Sequence, residues 1–195
     1  DDTSTENLVR QSIELIARVP IIVAHCYAAK RHYFDGKSLV LHVPREDMSI
    51  AENLLHMLRP DNQFTQEEAH LLDLMLTIHA EHGGGNNSTF TCRALTSTGT
   101  DTYGAISGAI NALKGPLHGG ANAKVMQMYE DVRENVTDPR DEEELAAYLR
   151  RVRDGQAGDR SGKIYGLGHA VYTESDPRAI LLKQYARDLA GRKGF

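Results

Sequence analysis

The spacing of apolar residues constrains this chain more than any other feature: a period of three to four recurs along it, and no stretch sustains strand-like alternation. In ENLVRQSIELIARVPIIVAHCYAAKRHYF the repeat runs through Leu8, Ile13, Ile16, Ile22 and Tyr27, and Pro20 predicts a kink, so this stretch is one bent helix or two. SIAENLLHMLR is a short amphipathic helix ended by Pro60. TQEEAHLLDLMLTIHAEHGGGN opens with Thr65 and Glu68 at capping-box spacing and closes on Gly83, with Leu71, Met75, Ile78 and His82 on one face. In TDTYGAISGAINALKG, Gly104 and Gly108 permit close backbone packing. ANAKVMQMYEDVREN and DEEELAAYLRRVRD follow as polar-faced helices, and SDPRAILLKQYARDLA begins a last one, with Asp176 as cap and Pro177 in the first turn. The expected fold class is all-α, with residues 154–168 as its one long irregular loop.

Composition excludes several function classes. The 195 residues carry 22 basic and 27 acidic side chains for a net charge of -5, and no basic block marks a nucleic-acid groove. The longest strongly apolar run, near VPIIVA, is far too short to span a bilayer, so no membrane partner is expected. Cys26 and Cys92 stand without a CxxC pairing, which favours two reduced, packed thiols and a cytoplasmic location.

Three familiar patterns fail on spacing. GDRSGK leaves only three residues between Gly158 and Gly162, and Ile164 follows Lys163 where a phosphate loop needs Ser or Thr. HGGG at 82–85 matches an esterase oxyanion segment, but no GxSxG elbow accompanies it. His79, Glu81 and His82 fit neither HExxH nor HxxEH, so no metal site is expected.

Three histidines remain in glycine-rich surroundings: His82 in HAEHGGGNN, His118 in GPLHGGANAKVM and His169 in YGLGHAVYTESDPR. Each also has a plain structural reading. His82 suits the carboxyl end of its helix, where the dipole favours a cation; His118 and His169 suit ordinary turns. Arg178 suits a surface ion pair, and Asp176 a helix cap.

Taken together, HGGGNNS, GPLHGGAN and YGLGHAVYTESDPR resemble, in order and spacing, the three active-site segments of the citrate synthase family. The resemblance runs through nearly the whole chain and implies a multihelical fold, with residues 1–119 from the large domain and 120–195 from an incomplete small domain. It implies an acyltransferase that condenses acetyl-CoA with oxaloacetate and hydrolyses the product thioester to citrate and CoA, without metal or redox cofactor. By the same resemblance, His118 hydrogen-bonds the thioester carbonyl, and His169 binds the keto oxygen and acts as acid. His82 and Arg178 hold oxaloacetate, and Ile164, Tyr165, Gly166, Leu167 and Gly168 lie against the adenine end of CoA. The chemistry suits these residues: a neutral imidazole donates to the oxygen where charge develops, and His118 stands at a helix amino end that disfavours imidazolium.

Two positions depart from the family pattern. Gly83 replaces a frequent glutamate, and Thr173 stands where many members carry a cation near the CoA phosphates. The catalytic aspartate is expected past Phe195, so the chain reads as an internal fragment that is inactive alone. The family reading also implies a homodimer built on helices such as residues 65–82 and 102–114. A 2-methylcitrate synthase using propionyl-CoA and a non-catalytic helical module are the alternatives; the first differs by one methylene, worth ~1–3 kcal/mol of selectivity.

Overall fold

The computed structural model describes residues 2–80, 85–168 and 173–194. Eight helices order these residues: α1 (Thr5–Asp35), α2 (Ile50–Leu58), α3 (Gln66–Ile78), α4 (Asn87–Thr96), α5 (Thr102–Lys114), α6 (Ala121–Asn135), α7 (Glu142–Arg153) and α8 (Pro177–Arg192). No strand is present among the described residues, and the fold is all-α as expected. Seven of the eight helices begin on Ser, Thr, Asn or Asp whose side chain accepts a first-turn N–H; α6 begins on Gly120 with no side-chain cap.

The chain divides into two compact units, Asp1–Gly83 with Asp176–Phe195, and Gly84–Ser175. In the first, α1 packs on α2, α2 on α3, and α3 on α8. Pro20 leaves α1 one continuous helix of 31 residues, ended by Gly36 in the left-handed region. The residues that set its period do not form a core: Leu8, Ile13, Ile16, Ile22 and Tyr27 are all exposed, and only Ala24 is buried. By length and composition α1 is apolar enough to cross a membrane, which the run VPIIVA alone did not foreshadow; core helices of soluble proteins pass the same test. Cys26 is exposed rather than packed, and both cysteines are free.

α3 opens with the expected capping box: Glu68 N–H donates to Thr65 Oγ1 at 3.2 Å, and Thr65 N–H to Glu68 Oε2 at 2.8 Å. It ends at Ile78, before the expected stop at Gly83, because the chain tightens there: Ala80 N–H reaches back only to Thr77 O, and the His79 ring lies 2.6 Å from the Met75 carbonyl. Buried Glu68 joins three helices. Arg59, just after α2, donates to both its oxygens at 2.8 and 2.9 Å, and Lys193 at the end of α8 donates to Oε1. Those bonds, Arg59's first, then Lys193's and the Thr65 N–H, hold its carboxyl well below the usual carboxylate range.

In the second unit, α4 and α5 lie against each other, with Leu95 occupying the space that Gly108 leaves: a Cβ there would stand 2.2 Å from Leu95 Cδ1. Gly104 has a different neighbourhood, the side chains of Thr100 and of the cap Asp101. Val132 and Val136 from α6 and its end form a small core with Tyr148 and Val152 of α7, and Leu145, Ala157 and Ile164 pack around it. Acidic residues fill the first turn of α7 and arginines its last, complementing the helix dipole.

Candidate active site

His118 lies in the turn between α5 and α6. Its N–H and that of Gly119 both donate to Gly115 O at 2.9 Å, a tight reversal of the chain. A Cβ on Gly119 would stand 2.1 Å from Leu113 O, and one on Gly120 2.4 Å from Pro116 O, so backbone occupies the space a side chain would need. The half-buried His118 ring has a definite partner: Ser88 N–H donates to its Nε2 at 3.1 Å, sharing the proton with Asn86 Oδ1 at 2.9 Å. A nitrogen that accepts from a peptide N–H keeps its lone pair, so the ring proton sits on Nδ1, which presents a donor. The helix amino end whose peptide N–H reaches the ring is that of α4, a helix the sequence reading left out.

The segment expected at CoA closes the 154–168 loop. Ile164 packs against the α6/α7 core, Tyr165 is half-buried, and Leu167 is exposed. Gly166 and Gly168 take φ of 82° and 84°, in the left-handed region. Tyr165 Oη donates to Asp159 Oδ2 at 2.7 Å, and Lys124 Nζ reaches the same oxygen at 3.0 Å. Hydrogen bonds from Ser161, then Tyr165 and Lys124, hold the Asp159 carboxyl well below its ordinary range. A surface pocket runs along these residues, lined by Lys124, Met128, Tyr148, Asp159, Lys163 and Tyr165. Asp159 and Lys124 were not singled out from sequence; the local signal was only that the loop is long.

Arg178 belongs to the first compact unit, at the start of α8. Asp176 caps that helix, accepting Arg178 N–H at 2.9 Å, and also takes the Arg178 guanidinium through Nε at 3.1 Å and Nη2 at 2.6 Å. The cap and the carboxylate-gripping fork, read separately from sequence, are thus one interaction. His82 and His169 lie outside the described residues. Among the described residues no group of three or more His, Cys, Asp or Glu is placed to hold a metal ion.

The comparisons with known proteins agree across the chain. Residues 1–194 match the family described as citrate synthase, C-terminal domain. A citrate synthase of Deinococcus radiodurans is 38% identical over 194 residues, covering 100% of this chain and 46% of its own length. Citrate synthase 2 of Bacillus subtilis is likewise 38% identical over 194 residues, covering 100% and 47%. A 2-methylcitrate synthase of Shewanella oneidensis is 35% identical over 183 residues, covering 92% and 43%. Among solved structures, a citrate synthase of Pyrobaculum aerophilum superposes with a TM-score of 0.74 at 31% identity, covering 100% of this chain and 43% of that one. The chain thus spans about half the length of the curated relatives it matches.

Proposed function

The chain belongs to the citrate synthase family, and from that premise we propose that the full-length protein condenses acetyl-CoA with oxaloacetate and hydrolyses the product to citrate and CoA. The observation that carries the reading is the Ser88 N–H donated to His118 Nε2 at 3.1 Å. It leaves Nδ1–H as a donor for the thioester oxygen, where negative charge grows as the methyl proton departs.

In this reading a carboxylate from a region past residue 195 takes that proton. The enolate carbon bonds to the keto carbon of oxaloacetate while His169 gives a proton to the keto oxygen. Water then cleaves the thioester, and the sulfur leaves as CoA thiol. Every hydrogen moves as a proton, so the reaction calls for no redox cofactor, and in this reading it uses no metal. His82 and Arg178 bind oxaloacetate; arginine's planar fork suits a carboxylate gripped through two bonds. Ile164, Tyr165, Gly166, Leu167 and Gly168 meet the adenine end of CoA, largely through backbone. Residues 1–119 belong to the helical large domain and 120–195 to part of the small one, in a cytoplasmic homodimer. The 195-residue chain alone has no turnover.

Propionyl-CoA is the second acyl donor to consider, because a 2-methylcitrate synthase stands among the relatives at 35% identity. The test is thiol release by the full-length protein from acetyl-CoA and propionyl-CoA, with and without oxaloacetate, repeated with His118→Ala. Oxaloacetate-dependent release is expected, with the better thioester naming the donor, and kcat falls by about 10²–10³ in the variant, the loss of one oxyanion donor. No release from either thioester sinks the reading and leaves a helical module without this reaction.

A further inference from the structure

The loop that carries the expected adenine segment closes on a helix to which it does not belong. Asp159 receives three donors: Tyr165 Oη at 2.7 Å, Lys124 Nζ at 3.0 Å and, at its other oxygen, Ser161 N–H at 3.0 Å. Ser161 Oγ lies 3.1 Å from Tyr165 Oη, and Lys124 Nζ stands 5.8 Å from the Tyr165 ring centroid. Lys124 belongs to the first turns of α6, the helix that begins three residues after His118. A second contact ties the loop to the same place. Gly166, at φ 82°, comes so close to Val125 that a Cβ would stand 3.2 Å from its Cγ2. Ile164 meanwhile anchors on the core beneath. The loop is therefore fastened by polar bonds at Tyr165 and by packing at Ile164 and Gly166, all to the body that carries His118.

We propose that Lys124 and Asp159 act as positioning residues, clamping Tyr165 so that the Ile164–Gly168 segment keeps a fixed span to His118 and grips the two ends of one acyl-CoA at once. The inference rests on the synthase reading above and assigns these two residues to acyl-CoA affinity rather than to chemistry. When a ligand is held at two points, the second contact is intramolecular, and its effective concentration depends on the spacing of the sites. Letting the loop wander lowers that concentration and restores an ordering cost to binding. The pair itself adds little to folding: the Lys124 and Asp159 side chains are 45% and 31% exposed, and such surface ion pairs are weak. Loss of the clamp should therefore be felt in binding and not in the fold.

The test uses the full-length protein, Asp159→Asn and Lys124→Met, with two thioesters: acetyl-CoA, and acetylpantetheine, which lacks the adenosine end. KM for acetyl-CoA is expected to rise about three- to tenfold in each variant, the scale of one ordinary hydrogen bond. The values of kcat, the KM for oxaloacetate and the kcat/KM for acetylpantetheine should stay within about twofold of wild type. Tyr165→Phe, which keeps the ring and removes the hydroxyl, should raise the acetyl-CoA KM in the same direction. An unchanged acetyl-CoA KM overturns the proposal, as does an equal fall on both thioesters, the mark of a merely structural role. Wild-type protein without turnover removes the synthase reading and this inference with it; active wild type with insensitive variants removes this inference alone.

Discussion

Glu68 offers a quantitative test of how the first compact unit is held. Its carboxylate, 8% exposed, receives Arg59, Lys193 and the Thr65 N–H, so one side chain ties the end of α2, the start of α3 and the end of α8. Glu68→Ala removes the side-chain half of the capping box, ~1 kcal/mol, and the charge-assisted bonds from Arg59, ~1.5–3 kcal/mol. Arg59 and Lys193 are 37% and 43% exposed and regain water when freed. The net loss is therefore about 2–3 kcal/mol, below the ~3–5 kcal/mol for breaking a wholly buried pair. For a chain of this length that is a fall in Tm of about 4–12 °C, read by circular dichroism at pH 7. Glu67→Gln is the control: its pair with Arg192 is 51% and 64% exposed, and it should move Tm by less than about 2 °C. The pH dependence has a fixed sign. The folded carboxyl is held below its ordinary value of 4.5, so its contribution is complete above that pH and is lost as pH falls toward the folded value. The gap between wild type and Glu68→Ala should thus narrow steadily below about pH 4.5. A variant that melts with wild type at pH 7, or a gap that widens on acidification, would refute the reasoning.

Two further outcomes follow from the turn at His118. Gly119→Ala would place its Cβ 2.1 Å from a backbone oxygen, so a loss of about 1–3 kcal/mol is expected in denaturant melts; a neutral result would show that the turn can relax. The ¹⁵N spectrum of His118 should show the proton on Nδ1, and Ser88→Pro, which removes the donated N–H, should shift the ring toward the other tautomer; an unchanged spectrum would mean that this bond does not set the ring state.

Helices were legible wherever period and punctuation agreed. Thr65 with Glu68, and Asp176 with Pro177, each marked a boundary that the structure keeps, because caps act within one turn. α4 was not legible: NSTFTCRALT has threonines in place of strong helix formers, and its support comes from the Asn86 cap and the Leu95 contact at Gly108. The facing of α1 was also unreadable, since periodicity identifies an apolar stripe but not whether this stretch of chain covers it. At the site, proline and glycines announced a constrained turn around His118. Its partner could not be found that way, because the donor is a peptide group thirty residues distant, indifferent to residue type. The tie of Lys124 to Asp159 and Tyr165 was hidden for the related reason that Lys124 lies 35 residues before Asp159 and is polar like any surface residue.

The donor to His118 being main chain has a consequence for how such a site changes over generations. Substitution at position 88 can alter the Oγ contact to Asn86, yet every residue other than proline still carries the N–H that the ring accepts. The tautomer is therefore inherited through the path of the backbone. Drift at that side chain is free, so far as the ring is concerned, while the helix start and the turn that bring peptide and imidazole together are not.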